Sequence, residues 1–219
     1  MSTTDTTDTT DTTDTTDTTG TTGTTGTAAS SLRPRPKRAD ARRNYDKVVA
    51  AARGAFTEGG AAASLEQIAR RAGVGIGTLY RNFPNRQALL EAVYVDEVEA
   101  LCQTADGLGD LPPWDALVRW LHGFVAYMVT KQALAQELLD YVDRDAPLFQ
   151  SCRTALYAAG GPLLQRAQQA RVVRADTDLS EVMQLVGGIA KIQTTDPGQI
   201  DHILGIALDG LRYRANQTT

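Results

Sequence analysis

The chain has 219 residues, and its hydrophobic share of 42% is ordinary for a soluble globular protein. No apolar run approaches the roughly 18–20 residues that span a bilayer, and the polar N-terminus lacks the apolar segment of a secretory signal, so we expect a cytoplasmic location and no membrane partner. The two cysteines and two histidines stand apart, which argues against a structural metal site, and no cofactor is expected.

The net charge of −4 is unevenly distributed along the chain. Residues 1–30 hold five Asp and no basic residue, residues 31–90 carry a charge of +8, and residues 91–219 carry −7. A short basic block beside an acidic body indicates a polyanionic partner for that block alone. A solvated charged face would show the same charges, so charge alone leaves both alternatives open.

Residues 1–32 are a repetitive segment rich in Thr, Asp and Gly, with almost no apolar side chain to bury. Such a segment cannot offset its ordering entropy, so we expect it to be disordered. A basic arm at residues 33–39 follows, interrupted by two prolines. We divide the rest of the chain into a small helical domain at 40–88 and a larger helical domain at 89–216.

From Asp40 onward the apolar spacing is helical and no strand pattern of useful length occurs, which predicts an all-α fold. The first helix ends at Gly59–Gly60, and Ser64 with Gln67 forms a capping box that begins the second. The other predicted helices are 75–81, 86–105, one opened by Pro112–Pro113, 132–143, 147–170, 178–192 and 198–214. The segment Gly160–Pro162 is expected to bend or break its helix.

Three glycines alternate with apolar residues in the segment RAGVGIGTLYRNF, residues 71–83. Glycines spaced in this way occur in phosphate-binding loops and in the turn of a helix-turn-helix. A nucleotide-binding loop would follow a strand, whereas here a capped helix precedes the glycines and no Lys follows them. The segment therefore predicts a helix-turn-helix with Gly73 at the turn, and a helical hairpin without a DNA role is the remaining alternative.

The second helix of this pair has an inner and an outer side. Leu79 and Phe83, four residues apart, are predicted to face inward. On the outer side, Gly75 and Gly77 have no side chain to hold the helix backbone away from DNA. The other outer residues offer hydroxyls, a methyl contact or a guanidinium: Thr78 and Tyr80 for phosphates, Ile76 for a thymine methyl and Arg81 for a guanine edge.

Residues 41–90 resemble the N-terminal domain of the TetR family of bacterial transcriptional repressors. The matching motifs occur in the family's order: AFTEGG at the end of the first helix, then SLEQIARRAGV, then GTLYRNFPNRQALL. The YRNFPNR variant and the C-terminal half look similar to actinobacterial members. The resemblance implies a repressor that binds a palindromic DNA operator as a homodimer and is released by a small-molecule effector.

The resemblance also implies roles for individual residues of the DNA-binding domain. Base contacts are implied for Gln67, Gly75, Ile76, Gly77 and Arg81. Phosphate or DNA-backbone contacts are implied for Ser64, Thr78, Tyr80 and Arg86, and a less defined contact for Asn82, where many members have His or Tyr. Arg42 and Arg43 match the basic start of the first helix, and the arm at Arg33–Arg38 is a candidate for a minor groove.

The two last predicted helices have apolar stripes that match the family's dimer face. The interface residues expected there are Val182, Val186, Ile189, Ile203, Leu204, Ala207 and Leu211. An internal core would use the same stripes, which leaves that alternative open. A site for the effector is expected among the middle helices, and its candidate walls are Trp114, Trp120, Phe124, Tyr127, Met128, Tyr141, Phe149, Cys152, Tyr157 and Met183.

Few charges fall within the middle helices, so we expect a mainly apolar effector, with His122 and Arg153 as candidate polar contacts. An enzyme is a second class of protein to weigh, since Asp140, Asp143 and Asp145 cluster in the sequence. They lie near a helix end among turn residues, and no nucleophile–base pair stands out, so no enzymatic activity is expected. A helical binding module without DNA would leave the +8 block unexplained.

Overall fold

A computed structural model describes residues 35–141, 143 and 146–212, so the segment predicted to be disordered lies outside the described residues. The described chain consists of helices joined by short loops, which confirms the predicted all-α fold. The helices are α1 Ala39–Gly59, α2 Leu65–Ala72, α3 Ile76–Asn82, α4 Arg86–Asp106, α5 Pro113–Leu138, α6 Pro147–Gln169, α7 Leu179–Ile189 and α8 Pro197–Leu211, with a 3-10 turn at Gly60–Ala62. Among these described residues, no helix is both long and apolar enough to cross a bilayer.

The first three helices pack around one small apolar core. Phe56 of α1 and Ile68 of α2 are buried in it, and Leu79 of α3 is fully buried beside them. Phe83, directly after α3, is also buried, and its ring centroid lies 4.9 Å from that of Tyr45. The predicted inward side of α3 is therefore confirmed, and this packing fixes which side of α3 remains outside.

The boundaries of α2 and α4 follow from local capping. The Ser64 hydroxyl oxygen accepts a hydrogen bond from the Gln67 backbone N–H, and the Gln67 side-chain oxygen accepts from the Ser64 N–H, which confirms the predicted capping box. At the start of α4, the Asn85 side-chain oxygen accepts from the Ala88 N–H at 2.8 Å. These caps define where the two helices begin, and the eight-residue α2 has little intrinsic stability of its own.

The helix α4 connects the N-terminal helices to the rest of the molecule. It packs against α1 and also against α5 and α6. The predicted domain boundary at residues 88 and 89 falls inside this continuous helix. A displacement of α4 would therefore move residues in both parts of the chain.

Two helix predictions need correction. The expected separate helix at 132–143 is the end of α5, which continues to Leu138 because residues 129–131 contain neither Gly nor Pro. The helix α6 is not broken at Gly160–Pro162. Pro162 and Ala158, the residue whose carbonyl loses its helical donor, are both exposed, so water can satisfy that carbonyl.

Gly160 has a packing role rather than a helix-breaking one. It is buried in α6, and a Cβ added there would overlap the indole ring of Trp120 on α5. Trp120 is itself fully buried. The glycine therefore allows α5 and α6 to approach closely through the indole ring.

Candidate functional sites

The turn between α2 and α3 has the geometry that the sequence predicts. Gly73 adopts a left-handed conformation with φ of 66°, which favours glycine, and its N–H donates to the last turn of α2. The Val74 N–H donates to the Ala69 carbonyl at 3.0 Å. The turn thereby sets α3 against α2 and directs one side of α3 away from the protein.

The outer side of α3 is exposed, and packing does not require glycine at either of its two glycine positions. A Cβ added at Gly75 or Gly77 would meet no atom within 4 Å. Neither glycine has positive φ, so backbone strain does not explain them. Ile76 is 40% exposed, Tyr80 is 44% exposed, and Arg81 is exposed beside them. Packing within the described chain thus leaves both glycines unexplained, which fits a partner approaching from outside.

Two other predicted DNA contacts have roles within their own helices. Asn82 donates from its side-chain amide to the Thr78 carbonyl at 2.9 Å, and both residues are half-buried. Gln67 is exposed although its oxygen caps α2. These residues lie beside the exposed surface of α3 with part of their hydrogen-bonding capacity already used.

Arg86, for which a phosphate contact is expected, is turned into the protein. Its guanidinium forms an ion pair with Glu137 at the end of α5 and donates to the Ala63 carbonyl and, at 3.1 Å, to the Gly60 carbonyl. The guanidinium carbon also lies 4.9 Å from the centroid of the Phe56 ring. A phosphate contact by Arg86 would therefore have to compete with these internal partners.

One residue of the basic arm, Arg35, is held by the protein. The Arg35 guanidinium lies 2.7 Å from both the Asp96 and the Glu99 carboxylates of α4. Arg53 of α1 reaches the same Asp96 at 2.6 Å. These charge-assisted contacts hold Arg35 against α4, so a minor-groove contact by this residue would have to break them. Arg33 lies outside the described residues.

The first turn of α1 keeps its basic residues at the surface. Arg42 and Arg43 are both exposed. Arg42 donates to the Pro36 carbonyl at 3.4 Å, and Arg43 forms an ion pair with Asp40 in the same helix. Exposed pairs of this kind contribute little to stability, so both side chains can reorient toward an anion.

A cavity of about 780 Å³ lies among α4, α5, α6 and the α7 region. The predicted wall residues that do line it are Phe124, Tyr127, Met128, Phe149, Tyr157 and Met183. Four other predicted residues do not belong to its described lining: Trp114, Trp120, Tyr141 and Cys152. Cavities of this size hold drug-sized ligands in other proteins.

Each of the four has a physical reason for its absence from the lining. Trp120 and Cys152 are fully buried in the core. Trp114 is covered by the Arg212 guanidinium, 4.2 Å from the ring centroid, and Tyr141 is half-exposed after the end of α5. Size and aromaticity predict burial, but they do not predict which buried face borders a cavity.

The structure adds Tyr94 of α4 to the cavity wall. Its hydroxyl accepts from the Tyr127 hydroxyl at 3.1 Å, and its ring meets that of Phe149 edge to face with centroids 5.3 Å apart. Burial raises the pKa of Tyr94 to about 12 and also raises the pKa of Tyr127. Both tyrosines are therefore neutral at physiological pH, and they form an aromatic wall with a polar edge.

Polar residues also line the cavity, and among them only Arg153 is expected from the sequence. They are Lys131, Gln132, Arg153, Ser180, Gln184 and Lys191. His122, the other candidate polar contact, is exposed and lies 3.9 Å from Asp201 instead. No single sequence motif marks these positions, since they come from three separate parts of the chain.

Most residues of the predicted dimer face pack within the single chain. Val182, Val186, Ile189, Leu204 and Leu211 are buried within the single chain, and Ile203 and Ala207 are half-buried. The apolar stripes of α7 and α8 thus pack inward. The exposed large apolar residues of these helices are Leu185, which is 44% exposed, and Ile206, which is 61% exposed.

The described residues give little support for an acidic active site, a disulfide or a metal site. Asp140 and Asp143 are exposed, whereas Asp145 lies outside the described part. Cys102 and Cys152 are buried thiols without a disulfide. Within the described ranges, no three His, Cys, Asp or Glu side chains are grouped to hold a metal ion.

A capped α2, a glycine turn and an exposed α3 define a helix-turn-helix protein with a separate helical cavity domain. Family models match both parts: residues 48–93 match the bacterial regulatory proteins of the tetR family, and residues 112–213 match the C-terminal domain of SbtR-like transcriptional regulators.

Solved structures of similar sequence support the same family assignment. A TetR transcriptional regulator from Streptomyces coelicolor is 39% identical over 78% of this chain and 99% of its own, with a TM-score of 0.70. A TetR transcription regulatory protein from Mycobacterium vanbaalenii is 33% identical over 81% of this chain and 99% of its own, with a TM-score of 0.66. No curated protein matches the chain. The chain belongs to the TetR family of transcriptional regulators.

Proposed function

We propose that the protein is a homodimeric repressor that binds a palindromic operator and is released when a small, largely apolar effector fills its cavity. The observation that carries this proposal is a cavity of about 780 Å³ in a chain that also exposes a helix-turn-helix. A regulator that only bound DNA would need no such cavity.

The proposed DNA contacts centre on the exposed side of α3. Gly75 and Gly77 let the helix backbone approach the base edges, where Ile76 and Arg81 make direct contacts. Tyr80 bonds the DNA backbone from the same side. The surrounding contacts come from Arg42, Arg43, Ser64, Gln67, Thr78 and Asn82, all of which keep at least part of their side chain at the surface.

Dimerisation is proposed to use the exposed side of α7 and α8. Leu185 and Ile206 supply apolar contacts there, and Gly205 and Gly210 have open space where a Cβ would lie. Bare glycines beside exposed apolar side chains allow two helices to approach closely. A twofold pair would place two α3 helices on half-sites one or more turns of DNA apart.

Release is proposed to run through the end of α5. Tyr127, Met128 and Lys131 of this helix line the cavity, and Glu137, two turns further, holds Arg86. Arg86 in turn holds the carbonyls of Gly60 and Ala63, which lead into α2. A shift of α5 around an effector therefore moves the segment that positions the helix-turn-helix. A 100-fold loss of operator affinity needs about 2.7 kcal/mol of differential binding.

The experiment tests DNA binding and coupling without a known effector. Genomic fragments are selected on the purified protein, and a recovered sequence is used as a labelled duplex in fluorescence anisotropy. Met128→Trp partly fills the cavity, so we expect it to weaken operator binding about tenfold or more. Val129→Trp, on the neighbouring exposed position of α5, is the matched control and should bind like the parent protein.

Two outcomes would count against the proposal. If the protein selects no fragment and binds no duplex at low ionic strength, the proposed DNA binding is wrong. If Met128→Trp and Val129→Trp bind the operator equally well, the cavity is not coupled to α3.

A further inference from the structure

Three basic side chains converge on the cavity from three separate elements. Lys131 lies on α5, Arg153 lies on α6, and Lys191 follows the end of α7. The described lining contains neither Asp nor Glu. The segment from residue 91 to 219 has a charge of −7, so this cluster does not simply continue a basic surface.

The three cations lack acidic partners among the described residues. Where ion pairs are found in the described chain, they connect other arginines and a histidine to acids, and none includes Lys131, Arg153 or Lys191. Lys131 instead lies near two aromatic rings, with its Nζ 5.9 Å from the centroid of Tyr94 and 5.8 Å from that of Tyr127. The cluster thus places positive charge beside the aromatic wall.

Grouping these cations has an energetic cost. Burial lowers the pKa of Lys131, and the neighbouring Arg153 and Lys191 charges lower it further. Three like charges around one cavity oppose each other and destabilise the empty state. An anion that entered between them would relieve this repulsion and replace lost hydration.

We propose that the effector is an amphipathic anion: a small molecule with a carboxylate or similar oxyanion on an aromatic or aliphatic body. This inference rests on the cavity being the effector site of the proposed function. The charged group lies with Lys131, Arg153 and Lys191, of which the last two are exposed and so mark the opening. The apolar body extends between Phe124 and Phe149.

Two fluorescent probes of nearly the same shape test the charge requirement. Anilinonaphthalene sulfonate is an anion, and phenylnaphthylamine is its neutral counterpart. We expect one molecule of the anionic probe to bind per chain, at least tenfold more tightly than the neutral one. Tenfold corresponds to about 1.4 kcal/mol.

Substitutions locate the site. Arg153→Gln and Lys131→Gln should each weaken the anionic probe about tenfold and leave the neutral probe unchanged, which also verifies that the cavity still forms. Arg119→Gln removes an exposed charge from α5 outside the cavity lining and should change neither affinity. Equal affinities for the two probes, or equal losses in all three variants, would overturn the proposal.

A DNA readout separates this inference from the proposed function. The selected duplex is titrated with each probe in the same anisotropy assay. Release by the neutral probe but not by the anion would overturn the anionic effector and leave the repressor function in place. Charge-dependent binding of the anion without any release would retain the anion site and overturn the effector-controlled release.

Discussion

Arg86 at the start of α4 and Glu137 in the last turn of α5 form an ion pair that is mostly hidden from water. The two residues are 51 positions apart, and the pair joins the helix-turn-helix to the helix that lines the cavity. Arg86 also holds the backbone carbonyls that precede α2. The contact therefore has a structural role, and it sits where the two functional parts of the molecule meet.

The first prediction concerns this pair. Arg86→Ala leaves the Glu137 carboxylate, in a residue only 8% exposed, without its cation, so the free energy of unfolding should fall by about 3 kcal/mol. Urea unfolding followed by circular dichroism measures the loss. Arg81→Ala, at an exposed position of α3, should stay within about 0.5 kcal/mol of the parent protein. Similar stabilities for both variants would contradict a structural role for Arg86.

The second prediction separates the folding and binding roles of a glycine. Gly77→Ala adds a Cβ that meets nothing in the protein, and alanine favours a helix by about 1 kcal/mol, so the variant should be as stable as the parent or more stable. The same Cβ would hold α3 away from base edges, so operator affinity should fall about tenfold or more. Unfolding and anisotropy measurements on one preparation test the predicted changes in stability and in operator affinity.

A control for Gly77 is available on a different helix. Gly161 of α6 also has open space where a Cβ would lie. Gly161→Ala should therefore keep operator affinity unchanged. An undiminished affinity of Gly77→Ala would show that α3 does not approach DNA through its backbone.

The third prediction distinguishes base recognition by Arg81 from a phosphate contact by Arg43. Arg81→Ala should relax sequence preference, costing about 1–3 kcal/mol on the preferred operator and little on mismatched DNA. Arg43→Ala, at the start of α1, should weaken binding to all sequences alike and reduce the salt dependence by about one phosphate contact. Affinities across single-base operator variants at several salt concentrations give both quantities. Indistinguishable profiles for the two variants would refute this division.

The fourth prediction uses two adjacent glycines. Gly160→Ala places a methyl group in the Trp120 ring, so it should destabilise the fold by about 1–3 kcal/mol through overpacking. Gly161→Ala has open space and should be neutral or stabilising. Thermal unfolding of the two variants side by side provides the comparison, and equal midpoints would show that α5 and α6 adjust freely around the ring.

The fifth prediction addresses the assembly. Ile206→Asp puts a charge on the exposed side of α8, where a desolvated carboxylate would oppose association, so the variant should be a monomer at micromolar concentration. Light scattering after size exclusion measures the mass. Val129→Asp changes an exposed apolar residue of α5 and should leave the dimer intact. A dimeric Ile206→Asp protein would place the interface elsewhere.

The helix-turn-helix was predictable because its signals are local. The capping box at Ser64, the left-handed turn at Gly73 and the four-residue spacing of Leu79 and Phe83 each act within one or two helical turns. Such interactions depend on neighbouring residues in the sequence. Helix ends in this region accordingly fall within a residue or two of their predicted positions.

The packing of α7 and α8 and the cavity were harder to predict because they depend on distant contacts. Periodicity identifies an apolar stripe on α7, but it does not say whether Val186 meets its own chain or a second copy. Leu185, outside that stripe, was not singled out. Lys131 was missed for a similar reason, since its charge is meaningful only once α6 and α7 bring Arg153 and Lys191 beside it.

The cap of α2 restricts what Ser64 can offer to DNA. Its oxygen already accepts one hydrogen bond from the Gln67 backbone N–H, which leaves the hydroxyl proton to donate and one lone pair to accept. Phosphate oxygens accept protons and have none to give, which makes them the natural counterpart. A hydrogen bond from this hydroxyl to a phosphate would therefore leave the cap of α2 intact.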